Sequence, residues 1–454
     1  MDLKAILRNL PEVEGPLEKK LSFGVKAKWT IIVLVLFFIL ANIPLYGLSA
    51  NALSRFDNLA VILGTDFGSI ISLGIGPIVM ASIILQLLVG AKILDIDTTS
   101  PEGKKFFQGL QKLLVFFFII FESSVYVLMR GLEAYPNYTF VVILQLCLGG
   151  LAILFMDEIT HKWGFGSGVS LFIAAGVSWR IFTALFQFIS TQGTIEPSGK
   201  LLVFIVSIIN GNMTGAVIAA ASVIITILIF LGVVWMQSLK IEIPLSFDRI
   251  RGYAIKWPLA FFYTSVIPVI LVSAMAANLQ LAAGLVEKWI GHATFLGSFS
   301  SSGVPTSGLA YWIGSTDLLS AFITKSFTFD MILQLICHII FYMSLSIIFA
   351  IFWVKTSGMD AQSQAKNIMA SGLTIPGFRK DQRILESVLE RYIMPLTIMG
   401  AGTIGLIAAL TNALGAIVAG TSILLVIMIM YQFYESIAKQ HSVDMHPALR
   451  KIIK

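Results

Sequence analysis

The chain has 454 residues, 57% of them apolar and only 12% charged, with a mean hydropathy of +0.88 and a formal net charge of +6. A soluble domain carries about 25% charge, so the composition excludes a soluble globular protein and predicts a polytopic α-helical membrane protein. Cys147 and Cys337 both lie inside apolar segments, where a lone cysteine packs as a small hydrophobe, and imply no disulfide framework.

Residues 1–28 mix Glu12, Glu14 and Glu18 with Lys4, Arg8, Lys19 and Lys20. They read as a cytoplasmic amphipathic segment without the short apolar core and small-residue cleavage site of a signal peptide, so the first span must act as the insertion signal. Apolar runs of membrane-spanning length then fall near 29–47, 70–90, 113–131, 139–157, 168–189, 215–237, 258–281, 329–354, 392–411 and 417–436. Well inside these runs stand only two charged side chains, Glu122 and Arg180. Each is costly at membrane depth and should face protein or water. Arg180 has the alternative of snorkelling outward.

An even number of spans puts both termini on one side. If that side is the cytoplasm, 25 of the 31 Lys and Arg residues are cytoplasmic and five are external, which sets the orientation by the positive-inside rule. The chain then divides into a first five-helix half at 29–190, a second at 191–437 and a cytoplasmic tail at 438–454. Two cytoplasmic loops, 238–257 and 355–391, are basic and longer than a connector needs. Orientation or lipid contact explains such charge, but an anionic partner such as ribosomal RNA would also be drawn to it.

Segment 48–69 is too polar to span and carries apolar residues at helical spacing, which predicts a short amphipathic helix. It rests on the external membrane surface or folds back into a cavity. The second span opens with Gly74, Gly76 and Pro77, a helix break tolerated at membrane depth only where backbone is buried or lines a wet cavity. Placing Pro77 over Pro268 of the seventh span aligns Pro-Ile-Val-Met-Ala-Ser (77–82) with Pro-Val-Ile-Leu-Val-Ser (268–273). Five spans per half would give the halves opposite orientation, an inverted repeat.

Enzyme chemistry leaves no trace. No zinc-protease pair, phosphate loop or serine elbow is present, and the five histidines are scattered without metal-ligand spacing. No cofactor is expected. His338, the one histidine in a span, reads as core packing or a hydrogen bond to a neighbouring helix.

Several motifs are specific: GIGPIVMASIILQLL at 74–88, GFGSGVSLFIAAGVS at 164–178, IEIPLSFDRIRG at 241–252, FYTSVIPVIL at 262–271, PGFR at 376–379 and GTSILLV at 420–426. Together and in this order they resemble the SecY family, the channel subunit of the Sec translocon, in its archaeal and eukaryotic branch. The resemblance implies two pseudo-symmetric halves of five helices, an hourglass pore, a re-entrant plug helix, and a side exit to lipid between the second and seventh spans. It implies a pore ring of Ile75, Val79, Val169, Ile173, Ile270 and Leu425, and a plug within 48–69 that includes Asn51, Leu53, Arg55, Phe56, Leu59 and Ala60. A polar cluster at the side gate maps to Glu122 and Asn278, with Met80 where close relatives keep a polar residue. Ribosome or partner contacts map to Arg249, Arg251, Lys256, Arg379 and Lys380. The implied partners are small single-span subunits of the SecE (gamma) and SecG (beta) type, a ribosome with its nascent chain, signal peptides, unfolded polypeptides and membrane lipid. The implied setting is the cell membrane.

An aliphatic constriction excludes water and ions by dewetting yet binds no passing side chain strongly. Spans poor in charge suit a pore for chains of any sequence. Two other readings compete: a small-solute secondary transporter, favoured by the inverted repeat and broken helices, and a scaffold or insertase without a through-pore.

Overall fold

The structure, a computed structural model, describes residues 10–17, 21–51, 53, 65, 67–90, 93–94, 96, 100–188, 199–247, 254–264, 267–300, 303–370, 373–374, 381–418 and 420–445. A helix stands at every expected span. The first half holds α1 (Phe23–Ala41), α2 (Gly76–Gly90), α3 (Pro101–Leu128), α4 (Thr139–Trp163) and α5 (Gly168–Phe186). The second holds α6 (Lys200–Ile209), α7 (Met213–Gln237), α8 (Ile267–Ile290), α9 (Gly308–Ile313), α10 (Leu318–Ile323), α11 (Phe329–Thr356), α12 (Ala361–Ala370), α13 (Gln382–Ala413) and α14 (Gly420–Met445). Among the described residues nine helices are long and apolar enough to cross a membrane, and α2 is a shorter apolar helix.

The second span is short as a helix because its first six residues are not helical. Residues 70–75 run in successive turns closed by bonds from Ser72 N to Ser69 O, Gly74 N to Ile71 O and Gly76 N to Leu73 O, with Gly74 at φ +53°. Pro77 is then the second residue of α2, and Pro268 is the second residue of α8. Proline suits a helix start, where its missing N–H would have no intrahelical partner anyway. Pro268 therefore begins its helix rather than breaking it, and the offset that superposes the two prolines also superposes the two helix starts.

Several boundaries differ from the sequence reading. The seventh span was expected at 258–281 and lies at 267–290, because residues 254–260 are drawn into a strand. The third helix begins at Pro101, where Ser100 Oγ accepts the Gly103 N–H as an N-cap. Helix α6, read as part of an external loop, packs against α7.

Short strands decorate the two ends of the bundle. Strand β1 (Leu48–Asn51) pairs with β2 (Leu132–Ala134). A long hairpin, β3 (Lys240–Phe247) with β4 (Ala254–Ala260), keeps register from Lys240 opposite Ala260 to Ser246 opposite Ala254. Strands β5 (Ser298–Phe299) and β6 (Pro305–Ser307) form a small clasp, and β7 (Leu373–Thr374) adds to the outer side of β3. Loops 238–257 and 355–391 thus share one sheet. An apolar cluster beneath it, built from Ile243, Leu259, Val354, Ile368, Leu385, Leu389 and Ile393, binds both loops to the ends of α11 and α13.

The described part of the N-terminal segment is docked, not free. Val13 N donates to Glu158 Oε2 at 2.9 Å, Lys162 pairs with Glu12, and Trp163 Nε1 donates to the Glu14 carbonyl at 2.9 Å. Lys240 Nζ lies 3.6 Å from Glu435 of α14. Large apolar side chains such as Ile31, Phe117, Phe121, Ile224, Leu228 and Ile340 cover the outside, which only a lipid surrounding makes favourable.

Candidate pore constriction, plug and side gate

The six ring candidates share a position: each lies at the start of a helix. Ile75 immediately precedes α2 and Val79 is in its first turn. Val169 and Ile173 occupy the first two turns of α5, Ile270 the first turn of α8, and Leu425 the second turn of α14. Ile75, Val79, Ile173, Ile270 and Leu425 are buried in one continuous apolar cluster, and Val169 packs against it. Helix α2 packs on α8, α8 on α14 and α14 on α5, so the four carriers form a chain of neighbours through the interior.

Three devices fix the four starts. Prolines 77 and 268 open α2 and α8. At α5, Asp157 Oδ1 accepts the Val169 N–H at 2.9 Å, placing a carboxylate at the positive end of the helix dipole. Backbone closeness accompanies the bond, since a Cβ on Gly168 would lie 2.6 Å from the Asp157 Cα. At α14, Asn412 Oδ1 accepts the Thr421 N–H at 2.9 Å, while Asn412 Nδ2 lies 3.2 Å from His338 Nε2. His338 Nδ1 in turn donates to the Ile313 carbonyl at 2.5 Å. Those two contacts assign the tautomer: Nδ1 carries the proton and Nε2 accepts from the amide. His338 therefore links helices, as read from the sequence, and Gln334 extends the network to the Tyr311 carbonyl at 2.7 Å. Sequence reasoning weighed charged groups in the spans and passed over Asn412 and Gln334. An uncharged amide in an apolar run was the signal available.

The ends of the plug segment are clasped together. Asn51 Nδ2 donates to the Phe67 carbonyl at 2.8 Å and Asn51 Oδ1 accepts the Leu53 N–H at 3.1 Å. On the far side Thr65 Oγ1 donates to Ile71 O at 2.6 Å, and the Gly68 N–H, at φ +99°, reaches Ser72 Oγ at 2.9 Å. Leu53 is buried beside Gly131, where a Cβ would lie 3.3 Å from Leu53 Cδ2. Its burial within the main cluster argues against a segment lying wholly on the membrane surface. Arg55, Phe56, Leu59 and Ala60 lie outside the described residues.

Two of the three gate candidates meet at one point. A Cβ on Gly76 would lie 3.1 Å from Glu122 Oε2 and 4.0 Å from Asn278 Oδ1, so both tips aim at the opening turn of α2. Glu122 belongs to the first half and Asn278 to the second. Among the described residues neither Glu122 Oε2 nor Asn278 Nδ2 has a hydrogen-bond partner, which leaves the joint polar but weakly tied. Met80, one turn further along α2, is partly buried against the main cluster. Arg180 is half-buried near the far end of α5.

Of the partner-contact candidates, Lys256 is exposed on β4 and paired with Glu242 across the hairpin at 2.5 Å, which holds its ammonium above the usual lysine range. Arg249, Arg251, Arg379 and Lys380 lie outside the described residues.

Fold and site together define a polytopic helical membrane protein with an aliphatic interior, a segment clasped at its two ends and a polar joint between its two halves. The SecY family model matches residues 69–434, and the plug domain of Sec61p matches residues 35–68. The protein translocase subunit SecY of Methanothermobacter thermautotrophicus is 42% identical, covering 98% of this chain and 96% of the relative; that of Pyrococcus furiosus is 39% identical over 99% and 98%. A solved protein-conducting channel superposes with a TM-score of 0.83 at 37% identity, covering 99% of each chain. Sec61 in a canine ribosome–channel complex from the endoplasmic reticulum superposes at 0.79, also at 37% identity and 99% of each chain. The chain belongs to the SecY family.

Proposed function

We propose that this chain is the pore-forming subunit of a protein translocation channel, passing unfolded polypeptides across the membrane and releasing apolar segments sideways into lipid. The full-length likeness to protein-conducting channels carries the reading, and it sets aside the small-solute transporter. Ile75, Val79, Val169, Ile173, Ile270 and Leu425 form the constriction, on the strength of their shared place at four neighbouring helix starts. Segment 48–69 is the plug that closes it. Glu122 and Asn278 form the polar joint of the side gate, with Met80 beside them.

Both termini and the two long loops face the cytoplasm, a reading supported by the charge asymmetry and by the gathering of the loops into one sheet. Arg249, Arg251, Lys256, Arg379 and Lys380 contact a ribosome or another motor there. Single-span subunits of the SecE and SecG type complete the complex in the cell membrane. No energy source is encoded, so the push comes from the partner.

The test is cysteine crosslinking in vesicles containing the purified complex and a ribosome-bound nascent chain. The nascent chain is expected beside Ile75, Ile173 and Ile270; a translocating chain never captured at these positions overturns the reading.

A further inference from the structure

The joint at Gly76 closes only one end of the seam between the halves. Fourteen residues further on, α2 ends at Gly90, about 21 Å away along the axis and within about 40° of the same face. A Cβ on Gly90 would overlap the Phe352 ring, lying 2.6 Å from Cγ and 2.9 Å from Cε1. Gly90 has ordinary helical backbone, so its conformation does not call for glycine. Only the ring does. Phe352 belongs to α11 of the second half and α2 to the first, and these helices pack directly. The seam therefore carries two contacts on one face of α2: at Gly76 with Glu122 of the first half and Asn278 of the second, and at Gly90 with Phe352 of the second half alone.

We propose that Phe352, seated on the bare backbone of Gly90, is the second closure of the side gate and determines how apolar a segment must be to leave through it. The inference rests on the channel reading above. Its physics differs from that of the polar joint. A ring against a glycine gains dispersion and apolar burial without a hydrogen bond, so parting it costs only contact area. A departing apolar segment repays that area by offering its own side chains to both faces. Segments too polar to do so leave the ring in place and continue through the pore. Weakening the contact should shift the balance toward exit.

The experiment uses the reconstituted complex and ribosome-bound chains bearing test segments of graded Leu and Ala content, scored as integrated or translocated. Phe352→Ala removes the ring, and Gly90→Ala displaces it. Each is expected to lower the half-point for integration by about two leucines. The pair Gly90→Ala with Phe352→Leu, which restores room, returns the half-point toward that of the parent. Gly150→Ala, a tight contact within the first half near Ile119 and Leu73, leaves it unchanged. An unchanged or raised half-point in both single variants overturns the proposal.

A second readout stands apart from folding defects: Gly90→Cys with Phe352→Cys, once oxidised, should stop integration, and reduction should restore it. Integration that continues across the closed disulfide also overturns it. Failure of the parent complex to pass any chain would instead defeat the channel reading itself.

Discussion

Asn51 holds the two ends of the plug with one side chain, and its amide spends both of its functions there. A net hydrogen bond is worth about 0.5–1.5 kcal/mol, so Asn51→Ala should weaken the seated plug by about 1–2 kcal/mol, a factor of about 5–30 in the displaced fraction. Vesicle ion leak measures it; a leak equal to that of the parent would show the clasp to be idle. Glu12 gives a pH-dependent case. Its hydrogen bond with Lys162 holds the carboxyl below the usual range, so the contribution is present above the ordinary carboxylate pKa and disappears as acid protonates the folded form. Below about pH 4 the Val13 amide, bonded to Glu158, should exchange as fast in the parent as in Glu12→Gln. Glu12 is largely exposed, so the effect should be modest. At this scale the sequence revealed Glu122, because a carboxylate in an apolar run is conspicuous. The bonds from Asn51 to Phe67 and from Asn412 to His338 were invisible, since each joins residues brought together by the fold.

Among the elements, helix starts carry the architecture. The aliphatic run of each span was legible, but aliphatics fill every span and only the family motifs singled out ring candidates. The four helices that carry the ring candidates begin with proline at α2 and α8, a carboxylate at α5 and an amide at α14. Asp157→Ala should cost about 0.5–2 kcal/mol through loss of the cap on α5 and lower the thermal midpoint of the purified complex. Asp157→Asn, which still accepts the Val169 N–H, should recover most of it. Equal loss in both variants would mean that charge, not the cap, matters. Close approach imposes a harder limit at Gly149, where an added Cβ would run into the carbonyl of Ile70. Backbone cannot rotate away as a side chain can, so Gly149→Val should abolish stable assembly, read as loss of the monodisperse complex.

For the whole molecule, the two basic loops form a single platform because β7 pairs with β3. Reversing Arg379 and Lys380 to Glu together should weaken ribosome binding at least tenfold and flatten its salt dependence, as expected when phosphate contacts are lost. Binding with an unaltered salt slope would place the ribosome elsewhere. Deleting residues 52–62 should open an ion leak that the intact channel lacks.

Composition and hydropathy determined a great deal unaided: the membrane class, the ten spans and the charge asymmetry, all of which depend on the local character of each segment. Tertiary structure decided the rest. The meeting of Glu122 with Asn278 at Gly76, the amide between His338 and Thr421, and the joining of two distant loops in one sheet are contacts between segments far apart in the chain. No local pattern specifies such contacts, because in a membrane every span is apolar and only packing tells one face from another.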